Sequence, residues 1–445
     1  MPQIMIARLL IFFVLVICHF AYAGDIADNK FPPLQPLIDE IKKGETFVIP
    51  PGTYSGPVYV EEAITLDGQN MVTIDSGGKG SVIILDTDGA VIKNLHLTNS
   101  GSHHNDIDSG VQVRGKFNVV KDNKIDNCLF GVDLQQSEYN VVRRNNISSK
   151  PHFELGQRGD AIRLWYSFYN KITDNQINNA RDTVVWYSAN NTISGNSATN
   201  SRYSLHFMYS QYNLVENNYY ANNTVGIFLM YSDGVIVRNN HIAHAAGPTG
   251  VGIGFKETSD LTIEGNQILY CASGLYIDVS PFQPDTTNRF THNVIAYNGI
   301  GIRFLNDWTG NIFKQNQLVD NLTQVVVSGG KTANRNVWDG NYWSDYQGFD
   351  ADADGTGDAP YELYAYADRL WQDTPYAQFF KGSPMLEVLD FLERLAPFSE
   401  PRLLVRDKAP SQHQLIRTVV KQEQTQKDCL LYTSDAADDN RVVEL

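Results

Sequence analysis

Apolar residues recur along most of the chain in a short pattern that also contains an asparagine. The pattern is an apolar residue, two variable residues, Asn, one variable residue and a second apolar residue, as in Val142–Ile147 and Ile172–Ile177. Successive asparagines are 21 to 30 residues apart, most often 22. A period of this length indicates a repeat protein in which each repeat is one structural unit. The asparagine column consists of Asn123, Asn145, Asn175, Asn196, Asn218, Asn240, Asn266, Asn293, Asn316 and Asn341.

A second motif lies between these asparagines. In Gly226–Leu229 and Gly301–Phe304, apolar residues alternate with period two, which is typical of a strand with one buried face. Two or three short strands per repeat predict an all-β fold, a right-handed parallel β-helix of about ten or more coils with a short helical C-terminal extension. A helical solenoid is excluded because no apolar period of 3.6 residues runs through 111–330. We expect the asparagines to adopt left-handed backbone at the bends, with their amides stacked along the axis.

The two ends differ from the repeat region. An apolar run followed by the small-x-small site Ala21 to Ala23 predicts a cleavable secretion signal. Leu34–Ile41 is a plausible helix to cap the first coil, and Cys429–Asp439 resembles an in-frame translation of a sequencing adapter. The expected divisions are a signal peptide at 1–23, the β-helix with its N-terminal cap at 24–345, an Asp-rich loop with a C-terminal docking extension at 346–427, and the adapter-like artefact at 428–445.

Charge and cysteine content narrow the class of protein. The formal net charge is −15, which argues against a basic nucleic-acid-binding surface, so we expect no nucleic-acid partner. Outside the two ends the cysteines are Cys128 and Cys271. They precede equivalent strands many coils apart, so we expect buried thiols and no disulfide between them.

The strand motif also predicts which side chains point away from the core. Apolar pairs such as Leu205 and Phe207 point inward, so the residues between and after them point outward. Several of these outward residues are large and apolar, which indicates a binding surface unless a loop or the tail covers it. The residues of this binding strip are Arg163, Trp165, Trp186, Phe228, Tyr276 and Arg303.

Three soft ligands fall within the strip. His206 and Met208 lie two residues apart on one strand, and Met230 has the register of Met208 one coil later. Because coils stack about 4.8 Å apart, the imidazole and the two thioethers can converge. This donor set suits Cu(I) better than zinc or calcium. The sequence therefore predicts a copper site at His206, Met208 and Met230; the alternative is that the methionines only fill gaps.

An acidic string after the last repeat has the spacing of a calcium loop. Carboxylates alternate, and Gly355 occupies the sixth position. The twelfth position is Tyr361, which cannot supply the usual bidentate carboxylate. A hydrogen-bonded acidic turn is therefore the alternative. The predicted calcium ligands are Asp350, Asp352, Asp354 and Asp358.

A polar insertion near the start of the repeats carries His103, His104 and Asp106. It is either a solvated loop or a second cluster of metal ligands. The residue types alone do not decide between the two, although a solvated loop is the simpler interpretation.

Many β-helices cleave or epimerise acidic polysaccharides, and such sites need clustered carboxylates. The acidic residues of the strip, such as Asp133 and Asp278, are scattered. We therefore expect no enzymatic activity. A polysaccharide-active or carbohydrate-binding β-helix remains the alternative, because Trp and Tyr side chains can stack on sugars.

Several strings in the chain resemble the NosD family, the periplasmic maturation proteins of nitrous-oxide reductase. They are the strings His206–Ser210 and Leu229–Ser232, the block Asn341–Tyr346, and the run from Phe349 to Tyr361. Ser383–Pro384 followed by an amphipathic segment fits as well. The resemblance covers about 44–410.

The resemblance implies a non-enzymatic periplasmic protein that works with the ATPase and membrane subunits of an ABC transporter. Its implied role is in supplying the copper–sulfur centre of nitrous-oxide reductase, with copper arriving from a lipoprotein chaperone. This role gives the predicted copper site a purpose. A purely structural adaptor that binds no metal is a further alternative.

The segment Met385–Leu395 has apolar residues at helical spacing, among them Val388 and Leu392. A helix here either docks into the membrane subunit of the transporter or caps the last coil. The sequence supports the two interpretations equally.

Overall fold

The structure is a computed structural model, and it describes residues 31–365, 383–384, 388, 391–392 and 401–413. The predicted signal peptide and the adapter-like segment lie outside the described residues, as does most of Met385–Leu395. The divisions predicted from the sequence therefore stay predictions.

The chain winds into a parallel β-helix with two sheets. The larger sheet has 24 strands in two parallel ladders, which are joined at the long strands β4 and β6. Its strands are β1 (Thr46–Val48), β2 (Gly52–Ser55), β4 (Thr65–Asp75), β6 (Val91–Thr98), β8 (Val119–Lys121), β9 (Lys124–Cys128), β11 (Val141–Arg143), β12 (Asn146–Ser149), β14 (Lys171–Thr173), β15 (Gln176–Asn178), β17 (Thr192–Ser194), β18 (Ser197–Thr199), β20 (Leu214–Glu216), β21 (Tyr219–Ala221), β23 (Ile236–Arg238), β24 (His241–Ala243), β26 (Thr262–Glu264), β27 (Gln267–Leu269), β29 (Asn288–Thr291), β30 (Val294–Ala296), β32 (Asn311–Lys314), β33 (Gln317–Val319), β35 (Val337–Asp339) and β36 (Tyr342–Trp343).

The smaller sheet carries the Gly-apolar motif, with one strand from each of twelve successive coils. The predicted all-β parallel β-helix of ten or more coils is confirmed. The strands of this sheet are β3 (Val58–Val60), β5 (Ile83–Leu85), β7 (Ser109–Val113), β10 (Phe130–Gln135), β13 (Ile162–Trp165), β16 (Asp182–Trp186), β19 (Tyr203–Met208), β22 (Val225–Met230), β25 (Val251–Lys256), β28 (Ser273–Asp278), β31 (Ile300–Phe304) and β34 (Thr323–Val327).

The core runs along the axis because most strands point alternate residues inward. Leu205 and Phe207, for example, point inward with no exposed surface. Cys128 and Cys271 are buried free thiols, and burial raises the pKa of each to about 12. They are therefore unreactive apolar core residues, as the sequence predicted.

The asparagine column forms the expected ladder, but the expected backbone conformation is wrong. Each ladder asparagine is buried, and each one before Asn341 donates from its side chain to the next, as Asn145 Nδ2 does to Asn175 Oδ1 at 3.0 Å. The left-handed conformation falls instead on the preceding residue, such as Arg144 with φ of 50°. That residue points its side chain to solvent, so its type varies, whereas the following residue must satisfy buried backbone groups.

Both ends of the core are closed. Near the N-terminus a short helix, α1 (Gln35–Ile38), buries Ile38 against the first coils, within the segment predicted for this cap. At the other end an antiparallel pair of strands, β37 (Tyr361–Ala365) and β38 (Arg402–Asp407), covers the last coil. Trp343 stacks on Tyr361 at 4.2 Å, and Leu404 and Val405 are buried. Short 3-10 turns lie at Leu155–Gln157 and Ser328–Gly330.

Candidate functional site

The outward residues of the smaller sheet stack in two columns, one of residues between the inward apolar pairs and one of residues directly after them. Register pairing places each residue directly beside its counterpart in the next coil. The first column contains Arg163, Val184, His206, Phe228, Gly254, Tyr276 and Arg303. The second contains Trp165, Trp186, Met208, Met230, Lys256 and Asp278.

These columns are half-buried rather than freely exposed, because their large side chains cover one another. Trp165 and Trp186 meet edge to face at 6.0 Å. Phe228 lies over Gly254, where a Cβ atom would collide with its ring, and its centroid is 6.1 Å from that of Tyr276. The glycine thus lets a bulky ring lie flat on the sheet. The result is a continuous apolar surface along the middle coils.

His206 and Met230 meet within this surface. His206 Nε2 lies 3.2 Å from Met230 Sδ, and the Cα atoms of Met208 and Met230 are register partners. Two donors that bind one copper ion at roughly 2.0 and 2.3 Å lie about 3.5 Å apart at a tetrahedral angle. The structure therefore brings two of the three predicted copper ligands into contact and places the third beside them.

Aromatic rings enclose the imidazole. Tyr203 stacks on His206 at 4.8 Å, and Trp186 approaches it edge-on at 6.0 Å. His206 is only 8% exposed, and its Nδ1 has no hydrogen-bond partner. Burial lowers the pKa of His206 to about 4, against an opposing effect of Asp182. The imidazole is therefore neutral near pH 7, the form that binds metals.

A row of charged residues borders the site, and the sequence analysis missed it. Arg181 bonds to the buried Asp160 at 2.8 Å and lies 3.8 Å from Asp182, which in turn pairs with Arg202. Arg202 lies 5.2 Å over the ring of Tyr203, the residue that stacks on His206. These Asp and Arg residues follow one another at spacings of 20 to 22 residues, close to the period of the repeat. That spacing is the signal that could have revealed them.

An arginine lies at each end of the strip, and the two differ in their ion pairing. Arg163 is paired with Asp133 at 2.6 Å and lies over Trp165 at 4.9 Å. Burial raises the pKa of Asp133 despite this pair. Arg303 is part-buried without an ion pair among the described residues, its Nε has no hydrogen-bond partner, and burial lowers its pKa. The two arginines predicted for the strip therefore lie at opposite ends of it.

A stack of tyrosines runs beside the second column and was also missed. Successive ring centroids are 5.0, 5.3 and 4.7 Å apart in nearly parallel planes. The repeated string Trp/Met-Tyr-Ser, every 21 or 22 residues, is the signal in the sequence. The stacked rings are Tyr166, Tyr187, Tyr209 and Tyr231.

The acidic loop brings together three of its four predicted ligands. One carboxylate oxygen from each of Asp350, Asp352 and Asp354 lies within 4.8 Å of the others. Asp358 instead accepts a hydrogen bond from the backbone of Ala351 at 2.8 Å. The carboxylate of Asp350 also accepts one from Gly355 at 2.8 Å, which lowers its pKa. Calcium binding here stays a prediction.

Among the described residues no helix combines the length and the apolar character needed to cross a membrane.

Comparison with known proteins identifies related families over most of the chain. The model of the family "Periplasmic copper-binding protein (NosD)" matches residues 145–348, which include His206, Met208 and Met230. The model "Right handed beta helix region" matches residues 63–182, so the predicted handedness is confirmed as well.

Two curated relatives align over most of their length. One from Pseudomonas aeruginosa is 32% identical over 366 residues, 78% of this chain and 83% of the relative. One from Stutzerimonas stutzeri is 31% identical over 382 residues, 82% of this chain and 85% of the relative. Both are named "Probable ABC transporter binding protein NosD".

Solved structures show a more distant likeness of fold. The catalytic domain of a GH87 α-1,3-glucanase aligns with a TM-score of 0.49 at 15% identity, over 71% of this chain and 69% of that one. The A-module of the Azotobacter vinelandii mannuronan C-5 epimerase AlgE6 aligns with a TM-score of 0.46 at 14% identity, over 68% of this chain and 92% of that one.

Proposed function

The chain belongs to the NosD family, and we propose that it is a periplasmic accessory protein that handles Cu(I) through His206, Met208 and Met230. In this role it works with the ATPase and membrane subunits of an ABC transporter, receives copper from a lipoprotein chaperone and takes part in maturation of the copper–sulfur centre of nitrous-oxide reductase. The names of the relatives and the description of the family support the transporter partnership and the metal.

The observation that carries the proposal is the contact between His206 Nε2 and Met230 Sδ at 3.2 Å. One imidazole and two thioethers form a soft donor set, which favours Cu(I) over the divalent ions of the periplasm. The depressed pKa of His206 keeps the imidazole unprotonated, so proton competition is weak near neutral pH.

The surroundings of this site suit transfer of an ion. The rings of Tyr203 and Trp186 exclude water from one side of the imidazole, which would limit the access of water and dissolved oxidants to a bound Cu(I) ion. Met208 and Met230 remain part-exposed on the sheet surface. A partner's ligands can therefore reach the thioethers directly, and the apolar columns around them offer a surface on which a partner protein can dock.

The arrangement of acidic groups supports a non-enzymatic role. Asp278 in the second column and Asp133, one coil before Arg163, are separated by six coils, roughly 29 Å at about 4.8 Å per coil. Asp160 and Asp182 do lie on neighbouring coils beside the columns, but both are held in ion pairs with Arg181 and Arg202. Paired carboxylates of glycosidases lie about 5–10 Å apart. The tyrosines beside the strip stack face to face, so the inner rings offer their edges rather than their faces to a sugar.

The test is an anaerobic Cu(I) titration of the secreted protein, in competition with a chromogenic chelator. Met230→Leu keeps the volume of the side chain and removes its sulfur, and His206→Asn removes the imidazole. Each is expected to weaken Cu(I) binding at least about tenfold, which corresponds to ~1.4 kcal/mol.

Two changes elsewhere serve as matched controls. Met71→Leu removes an exposed thioether, and His244→Asn removes an imidazole that stacks on Tyr270 far from the strip. Equal Cu(I) affinity in all variants would show that copper does not bind at the strip. If no Cu(I) binds at all, the non-metal adaptor and the carbohydrate-binding alternative take precedence.

A further inference from the structure

A second group of metal-binding side chains lies in the loop between β6 and β7, on an earlier coil than the copper site. Donor atoms of His103, Asp106 and Asp108 all lie within 4.8 Å of one another. His103 Nδ1 is 3.7 Å from the Asp106 carboxylate and 3.8 Å from that of Asp108. These distances are too long for hydrogen bonds. Two ligands about 2.1 Å from one ion lie roughly 3.4 Å apart at a tetrahedral angle, so the spacing is close to that of a metal site.

The carboxylate of Asp108 is the buried member of the group, and its Oδ2, the atom that faces His103 Nδ1, also accepts a hydrogen bond from the backbone nitrogen of His103 at 2.8 Å. The Asp108 side chain is only 3% exposed. In the part of the chain that the structure describes, no Lys or Arg lies within ion-pair distance of it. The nearby ammonium of Lys150 donates instead to the carbonyl of Ser100 at 2.6 Å. One backbone hydrogen bond and a lysine beyond ion-pair distance offset only part of the cost of burying this charge, and a bound metal ion would supply the rest.

Contacts outside the cluster hold the loop in shape. Gln112 Nε2 donates to the carbonyl oxygens of Asp106 and Ile107 at 3.0 and 2.9 Å. His104 points away from the cluster: its Nε2 is 3.0 Å from the carbonyl of Gln157, and its ring meets Phe130 edge-on. The neighbouring histidine therefore belongs to the scaffold, and only His103 faces the two carboxylates.

We propose that His103, Asp106 and Asp108 bind a divalent transition-metal ion of the zinc class, with water in the remaining positions. One imidazole and two carboxylates are borderline to hard donors, unlike the thioethers of the strip, so this site selects against Cu(I). The imidazole likewise argues against calcium, which prefers oxygen ligands throughout. The bound ion joins the exposed tip of the loop to a carboxylate anchored in the coil. This inference does not rest on the proposed copper function.

The test is a Zn(II) titration of the metal-free protein against a chromogenic chelator, with Co(II) absorption as a second reading of the ligand set. His103→Ala and Asp106→Asn change exposed side chains and are expected to leave the fold intact, which circular dichroism checks. We expect one Zn(II) per chain in the wild type and at least a tenfold loss of affinity in each variant.

Two matched controls locate the ion. His104→Ala removes the adjacent imidazole that faces Gln157, and Asp352→Asn alters the other acidic cluster; both are expected to keep wild-type Zn(II) affinity. Loss of Zn(II) in either control, unchanged affinity in both site variants, or no Zn(II) binding by the wild type would overturn the proposal. Asp106→Asn is also expected to keep Cu(I) binding, so failure here is distinguishable from failure of the copper site.

Discussion

The carboxylate of Asp407 takes the place that the next asparagine would occupy beyond Asn341. It accepts hydrogen bonds from the backbone nitrogen of Asn341 at 3.0 Å and from its Nδ2 at 2.8 Å. Asn316 makes the same two bonds to Asn341 Oδ1, at 3.0 and 2.9 Å. The ladder therefore ends on a side chain supplied by β38, more than sixty residues later in the chain.

Removal of this acceptor should destabilise the last coil. Asp407→Leu leaves several buried donors unpaired, at roughly 1–3 kcal/mol each before relaxation, so we expect the free energy of unfolding to fall by about 2–4 kcal/mol. Asp407→Asn keeps one acceptor oxygen, so the free energy of unfolding should fall by less than in the Leu variant. Denaturant unfolding of both variants measures the difference. Wild-type stability in the Leu variant would show that the cap does not depend on this carboxylate.

The corrected position of the left-handed residue gives a second prediction. Arg144→Gly removes the strain of a side chain on left-handed backbone and loses only an exposed ion pair with Asp122. The free energy of unfolding should therefore change by less than about 1 kcal/mol. Asn145→Gly removes bonds to Val120 O and Asn175 Oδ1 and should cost about 2–3 kcal/mol. If Asn145→Gly is the milder change in unfolding experiments, the assignment of roles within the bend is wrong.

These two residues also show what the sequence can reveal. The position of Asn145 is buried and hydrogen-bonded in successive coils, so it is always occupied by Asn and the repeat is visible in the sequence. Arg144 only needs to tolerate a left-handed backbone, so Asp122 and Gly195 occupy the equivalent position and no pattern emerges. Around His206 the period stays at 22 residues, from Asn196 to Asn218 to Asn240, which fixes the register there. The contact of His206 with Met230 could be predicted for that reason.

Other features were not predictable because no periodicity marks them. The pairing of β37 with β38 joins segments about forty residues apart outside the repeats. The stacking of Tyr203 on His206 depends on side-chain rotamers at the edge of a strand, and Tyr203 belongs to neither outward column.

Asp160 predicts a pH dependence of stability. Burial raises its pKa to about 6, against the attraction of Arg181, while Asp182 adds to the rise and Arg163 opposes it. In the unfolded chain the pKa is about 3.9. Between these values the folded state binds more protons, so this group makes stability fall as pH rises from about 4 to 6, on the order of 1–3 kcal/mol in total.

Asp160→Asn removes that dependence. The stability of the variant relative to the wild type should therefore increase from pH 4 to pH 6 and stay level from pH 6 to 7. Unfolding free energies at four pH values measure it, with Asp122→Asn on the exposed surface as the control. A constant difference across the range would contradict the raised pKa.

Tyr203 should position His206 without binding copper itself. Tyr203→Phe keeps the stacked ring and should keep Cu(I) affinity. Tyr203→Ala exposes the imidazole to water, which frees its rotamers and raises its pKa, so affinity should fall about tenfold at pH 6 and less at pH 7.5. The chelator competition measures both. A loss in the Phe variant equal to that in the Ala variant would mean that the hydroxyl group acts directly.

The helical residues after Pro384 provide the test of transporter docking. The last coil is already closed by β37 and β38, and Val388, Phe391 and Leu392 are 55%, 59% and 49% exposed. We therefore expect Phe391→Glu and Leu392→Glu to leave thermal stability and Cu(I) affinity unchanged while they reduce co-purification with the transporter membrane subunit. Glu substitutions put charge into a surface that must lose water on docking, at a cost of several kcal/mol if the residue becomes buried. Leu322→Glu, on an exposed turn of the β-helix, is the matched control. A lowered melting temperature in the helix variants would assign these residues to the cap instead, and normal co-purification would place the transporter elsewhere on the protein.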